Sequence, residues 1–331
     1  MTQNPIRARL SSRMMRRRQQ AMADIPKQLL RKDAITVVLV GTGGPLPSTR
    51  SQYCTAVFAN GKFLLFDAGD GASRRMVDLN MPYEALDTVF MTHYHADHFA
   101  DLGEVIDRSW IAGRRHTLPI YGPPGIEQIV AGFHQAYTLE YGYRTAHHGT
   151  EIMPPAWAKA QAMPFQYDAN GKPVVVFDED GVQVSAFAAS HPPIEPNVGY
   201  RIDFAGQSFV LASDSLPTET LLAQSRDAEV LIANVMNMDA IQQMQAGAVA
   251  MGNALGAAIL HDIQDYHMGL RELGVLAQKA GVKRLALTHL SPPVEQRTLV
   301  NQLFKRPIAV HYQGEIIVGD DGTRIVIPLE N

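Results

Sequence analysis

From Ala34 onward the chain alternates short apolar runs with turn residues, the spacing of strands rather than of a helical bundle. Ile35 to Val40, Cys54 to Ala59 and Lys62 to Asp67 each have strand length. Asn60-Gly61 between the last two predicts a hairpin, because both turn positions call for positive φ. Thr88 to Thr92 reads as a further strand, and Val182 to Ala189 alternates. Tyr200 to Phe204 and Ser208 to Ala212 form a second hairpin across Ala205-Gly206-Gln207, while Val230 to Ala233 and Leu285 to Thr288 read as buried strands. Helical spacing covers about 236–262 and 269–280, and Gly171-Lys172-Pro173 and Asp178-Glu179-Asp180-Gly181 read as turns. Strands with helices inserted between them predict two sheets sandwiched between helices. No internal repeat is visible in the sequence.

Residues 1–32 carry nine Lys or Arg against the single acid Asp24, so this stretch reads as an appended arm over 1–33, with the main domain at 34–331. Ile6, Leu10, Met14, Ala21, Ile25 and Leu29 recur at roughly helical spacing, which predicts an amphipathic helix packed on its own domain or on a second subunit. Membrane-surface or nucleic-acid contact is the alternative for this arm.

Composition adds less. With 331 residues, 46% hydrophobic, the chain can bury a large core. No run is long and apolar enough for a membrane span, so a cytoplasmic location is expected. The single cysteine, Cys54, sits in an apolar run and reads as a buried structural thiol. A net charge of −4 argues against a surface generally coated by nucleic acid. Twelve histidines are the informative count, because several fall at strand ends.

Thr92-His93-Tyr94-His95-Ala96-Asp97-His98 follows the end of an apolar strand. Residues two apart on an extended segment point the same way, so His93 and His95 can grip one ion, and Asp97 and His98, past the turn, can face another. Imidazole and carboxylate suit Zn²⁺ and related divalent ions. Further donors also end strands: His191 after 182–189, Asp214 after 208–212 and His289 after 285–288. Each alone reads as a structural residue; their repetition is what suggests a site.

His93-Tyr94-His95-Ala96-Asp97-His98, followed in order by His191, Asp214 and His289, resembles the metallo-β-lactamase superfamily, nearest its ribonuclease Z and arylsulfatase-like branch. Gly41-Thr42-Gly43, Asp67-Ala68-Gly69-Asp70-Gly71, Gly199-Tyr200-Arg201-Ile202 and Leu287-Thr288-His289-Leu290-Ser291 match as well, and the likeness spans roughly 35–295. The resemblance implies an α/β fold, the αββα sandwich. It assigns His93, His95 and His191 to one divalent ion, Asp97, His98 and His289 to a second, and Asp214 to both. Zn²⁺ is the expected metal, with Mn²⁺ and Fe²⁺ as alternatives. Asp67 would orient a ligating histidine, or else cap its Gly-rich turn. His267 matches a histidine beside the metals that assists the leaving group, or is a helix-start residue. His147-His148-Gly149 reads as an ordinary loop.

Two departures stand out. Where the branch carries His-Glu after the strand following the bridging aspartate, this chain has Ala233-Asn234, and no long Gly/Pro-rich arm lies between His98 and His191. The first reading is therefore a dinuclear hydrolase of a small ester-like substrate (phosphodiester, sulfate ester, lactone or β-lactam), with Asp97 and His267 as catalytic groups. Nucleic acid is the less favoured partner and a homodimer the expected assembly. The alternatives are an RNA 3′-end endonuclease and a catalytically silent binding protein on the same fold.

Overall fold

The structure is a computed structural model and describes residues 22–168, 171–295 and 298–329. Two seven-stranded sheets face each other. The first holds β1 (Ala34–Gly41), β2 (Cys54–Ala59), β3 (Lys62–Phe66), β4 (Leu86–Phe90), β5 (Leu118–Gly122), β6 (Ala160–Pro164) and β14 (Thr323–Pro328), with β14 paired on the outer edge of β1. The second holds β7 (Val174–Glu179), β8 (Val182–Ala188), β9 (Val198–Phe204), β10 (Gln207–Leu211), β11 (Val230–Met236), β12 (Arg284–Ser291) and β13 (Glu315–Val318). Each sheet runs three antiparallel pairings and then three parallel ones, so the backbone repeats a plan that the sequence does not.

The runs are unbroken because the central strands are buried on both faces. Ile35, Val37 and Leu39 of β1 point between the sheets and meet Val184, Tyr200, Phe209 and Ile232. Val38 and Val40 point outward, beneath Met76 of α2 (Ala72–Asp78), Val105 of α4 (Leu102–Ala112) and Val130 of α5 (Ile126–His148). Across the molecule Leu231 and Leu285 are covered by Leu273 of α9 (Leu270–Ala280) and Phe304 of α10 (Thr298–Ala309). The order is thus helix, sheet, sheet, helix. This is the metallo-β-lactamase fold.

Residues 22–29 are helical, and Ile25, Leu29 and Leu30 pack on the outer face of the first sheet. The rest of the basic arm lies outside the described residues. The single helix expected at 236–262 is divided: β11 continues to Met236, then α7 (Met238–Ala250) and α8 (Ala254–Asp262) follow. Gly252 breaks them at φ 71°, and the Asn253 side chain accepts from Gly256 N to start the second. His147 and His148 are the last turn of α5 rather than a loop, exposed and away from the histidine cluster. No helix among the described residues is long and apolar enough to cross a membrane.

Candidate metal centre

All the donors emerge at one rim of the sandwich, where the chain leaves its strands. Three non-glycine residues there adopt left-handed φ: Asp67 (57°) after β3, Ser213 (61°) after β10 and His289 (46°) within β12. Such conformations are sparsely populated and persist where the surroundings enforce them. At His289 the enforcing feature is a bulge: the β11–β12 register shifts between Asn234 and Val235, leaving His289 outside the ladder. The strand expected to stop at Thr288 therefore runs on to Ser291 with the histidine inside it.

Asp67 organises the His93 loop. Its Oδ1 accepts from Thr92 N at 2.8 Å, and its Oδ2 accepts from Thr92 Oγ1 at 2.7 Å and lies 2.8 Å from His98 Nδ1. Held through Nδ1, His98 turns Nε2 toward the centre. The loop is pinned from the second sheet too, since Tyr200 Oη donates to Met91 O at 2.5 Å and Val198 N to Thr92 O at 3.0 Å. Gly69 permits the short helix α3 (Ala96–Phe99) to sit close, because a Cβ there would lie 2.0 Å from Asp97 O. Gly44 likewise makes room for the His289 ring, 2.6 Å from where its Cβ would be.

The donors gather in overlapping groups. His93, His95, His191 and Asp214 each bring one ligand atom within 4.8 Å of the others, as do Asp97, His98 and His289, and also Asp214, His267 and His289. Asp214 Oδ2 is the hub: it lies 3.4 Å from His98 Nε2, 3.5 Å from His289 Nε2, 3.8 Å from both His191 Nε2 and His267 Nε2, and 3.9 Å from His93 Nε2. His191 Nδ1 is oriented by Tyr266 O at 3.0 Å and His267 Nδ1 by Ile263 O at 2.9 Å, so both rings present Nε2 to the centre.

The donor chemistry fits cations. His98 Nε2 and His191 Nε2 are buried without a hydrogen-bond partner, and His93 Nε2 faces His95 Nδ1 at 3.2 Å. Burial would raise the Asp214 carboxyl, but His289 and His98 hold it well below the usual carboxylate range. Burial would lower His98 and His289, yet Asp214, together with Asp67 at His98 and Asp97 at His289, outweighs it and both are raised. Burial, reinforced by neighbouring imidazoles, pushes His93 and His191 down. Buried, unpartnered imidazole nitrogens around a shared carboxylate make a donor set that suits divalent ions.

The sequence reading gave no role in the site to four contributors. Thr92 links Asp67 to the loop. Asn197 donates to Asp214 O at 2.7 Å and accepts from Ser213 Oγ. Tyr53 packs its ring 5.0 Å from that of His98. Asn234, which stands out in the sequence only as a missing carboxylate, donates from Nδ2 to Asp214 Oδ1 at 2.5 Å. The position was legible; its partner was not, because it lies at the end of the neighbouring strand. Cys54 is fully buried and its thiol pushed well up by that burial, so it offers no nucleophile.

Comparison with known proteins agrees with this architecture. The β-lactamase superfamily domain matches residues 63–290. A ribonuclease Z of Mycobacterium bovis is 32% identical over 297 residues, covering 88% of this chain and 98% of its own length, and one from Mycobacterium avium is 31% identical with the same coverage. Among solved structures, the short form of human tRNase Z superposes with a TM-score of 0.63 at 18% identity, over 88% of this chain and 99% of its own. A metallo-β-lactamase fold protein of Bacillus subtilis superposes with a TM-score of 0.62 at 21% identity, over 89% and 100%.

Proposed function

Because the chain belongs to the metallo-β-lactamase superfamily, we propose that this metal-dependent hydrolase cleaves phosphodiester bonds of RNA with two divalent ions. The observation that carries this reading is the ligand hub at Asp214, in a chain that resembles ribonuclease Z over 88% of its length. The preference for a small ester over nucleic acid, drawn from Ala233-Asn234 and the missing arm, is corrected by those relatives. One altered carboxylate weighs less than likeness along nearly the whole chain.

In this reading His93, His95 and His191 would hold one ion, Asp97, His98 and His289 the other, and Asp214 would serve both. Bound divalent ions lower the pKa of water toward neutrality and polarise a phosphoryl oxygen. Asp97, whose Oδ2 lies 3.0 Å from His289 Nε2, would act as an acceptor that orients the attacking water. His267 stands at the rim, beside a cavity of about 620 Å³ lined by Gln242, Gln264 and Arg271, and acts on the leaving oxygen. Since its Nδ1 bonds a carbonyl, Nε2 is the atom that must carry the transferred proton. The nine cationic residues of 1–32 supply charge for phosphate contacts, which makes binding steeply salt-dependent.

The test is a set of labelled RNAs, a precursor tRNA among them, beside p-nitrophenyl phosphodiester and sulfate, a lactone and a β-lactam, each with and without chelator. RNA cleavage that the chelator abolishes is expected. Turnover of a small ester with every RNA left intact would overturn the RNA assignment.

A further inference from the structure

Asp214 has two oxygens, and the chain treats them differently. Oδ2 faces the imidazoles of both clusters. Oδ1 is taken by Asn234 Nδ2 at 2.5 Å, in a pocket where Asn234 is 3% exposed and Asp214 2%. The amide orientation follows from the partner, because a carboxylate oxygen only accepts and the amide oxygen cannot donate. We infer that Asn234 is a positioning residue that reserves Asp214 Oδ1 and thereby makes the shared ligand a single oxygen.

The backbone places this contact beside the bulge at His289. The register shift that follows Asn234 on β11 is the same irregularity that frees His289 from the β12 ladder. The bulge lifts the histidine into the site immediately beside the residue whose amide holds the carboxylate. Asn197 closes the arrangement from the other side by holding the Asp214 carbonyl. With its main chain and Oδ1 both fixed, the carboxylate cannot rotate to offer each ion a separate oxygen. Two ions held by one oxygen are obliged to lie closer together than two ions held by one oxygen each. That separation is what an attacking water and a phosphoryl oxygen must span.

This inference rests on the dinuclear reading, and the test separates the two. Metal-loaded wild type, Asn234→Ser and Asn234→Leu are challenged with graded chelator, and retained metal is measured by elemental analysis. Leucine keeps asparagine's branching but is bulkier and has no donor, whereas serine keeps a donor on a smaller side chain. Supporting hydrogen bonds to ligands are typically worth about 10- to 100-fold in affinity. Asn234→Leu should lose metal at chelator activity lower by about that factor, with Asn234→Ser between it and wild type. Asn234→Ala replaces the leucine variant should that one not fold. Retention in the donor-free variant equal to wild type overturns the inference, as does an equal loss in the serine and donor-free variants, which would make the effect one of packing. A wild type holding fewer than two ions overturns the dinuclear reading itself and this inference with it.

Discussion

Asp67 Oδ2 and His98 Nδ1 lie 2.8 Å apart with both side chains fully buried, so the orientation of one metal-facing imidazole is set by a residue on the neighbouring strand end. The same carboxylate fastens Thr92, the residue before His93. Asp67→Asn keeps the shape and removes the charge. It should weaken metal retention by about 10- to 100-fold, measured by chelator competition on the loaded protein. Wild-type retention would show that His98 is oriented by packing alone.

Asp214→Ala should deplete both ions, because one oxygen stands within reach of both donor groups. Elemental analysis of protein purified with added metal decides this. A variant still holding two ions removes Asp214 as the shared ligand.

For His267 the discriminating measurement is a pair of substrates. A p-nitrophenolate leaves with little help, whereas an alkoxide needs a proton, and general-acid assistance is typically worth about 10²- to 10⁴-fold. His267→Ala should keep its metal, lose little kcat/KM on bis(p-nitrophenyl) phosphate, and lose much more on RNA. Equal losses on both substrates would end the leaving-group role, and lost metal would make His267 a ligand, a position its grouping with Asp214 and His289 also permits.

Away from the site, Asp107 on α4 is 5% exposed and its Oδ1 is buried without a hydrogen-bond partner. Burial, with Glu140 adding to it and Arg144 opposing, pushes its carboxyl up to about 6. A raised carboxyl favours the folded state below its unfolded pKa, and that contribution is lost as pH rises through 6. Asp107→Asn should therefore be more stable than wild type by about 1–2 kcal/mol at pH 8, after discounting for partial solvation, and equal to it at pH 4. Denaturant titrations at the two pH values test the sign; a gain confined to pH 4 would refute it.

What the sequence revealed was whatever is written locally. Asn60-Gly61 was readable because both residues occupy positive φ, 50° and 80°, as the tight hairpin demands. The histidine cluster was readable because its spacing converts directly into direction. By contrast, β14 pairs with β1 from the far end of the chain, Ala34 opposite Pro328, and nothing in either strand announces the other. Helix α5 could not be delimited from the sequence, because it buries only Ile126, Val130 and Tyr141 and shows no continuous apolar stripe. Asn234 was seen as a substitution and not as a donor, since its partner is a strand away, and the bulge that frees His289 beside it leaves no mark on an apolar run.

Tyr200 reaches from β9 to the carbonyl of Met91, and the metal-facing groups divide between the same two sheets, His93, His95, Asp97 and His98 from one and His191, Asp214 and His289 from the other. Ions seated among them would act as a clasp on the open lip of the sandwich. Without them the lip would be held by the His–Asp contacts, by the Tyr200 and Val198 hydrogen bonds to the His93 loop and by the apolar core beneath. Free metal concentration would then govern more than turnover, because ions that bind only the folded lip would also stabilise it against local opening and proteolysis.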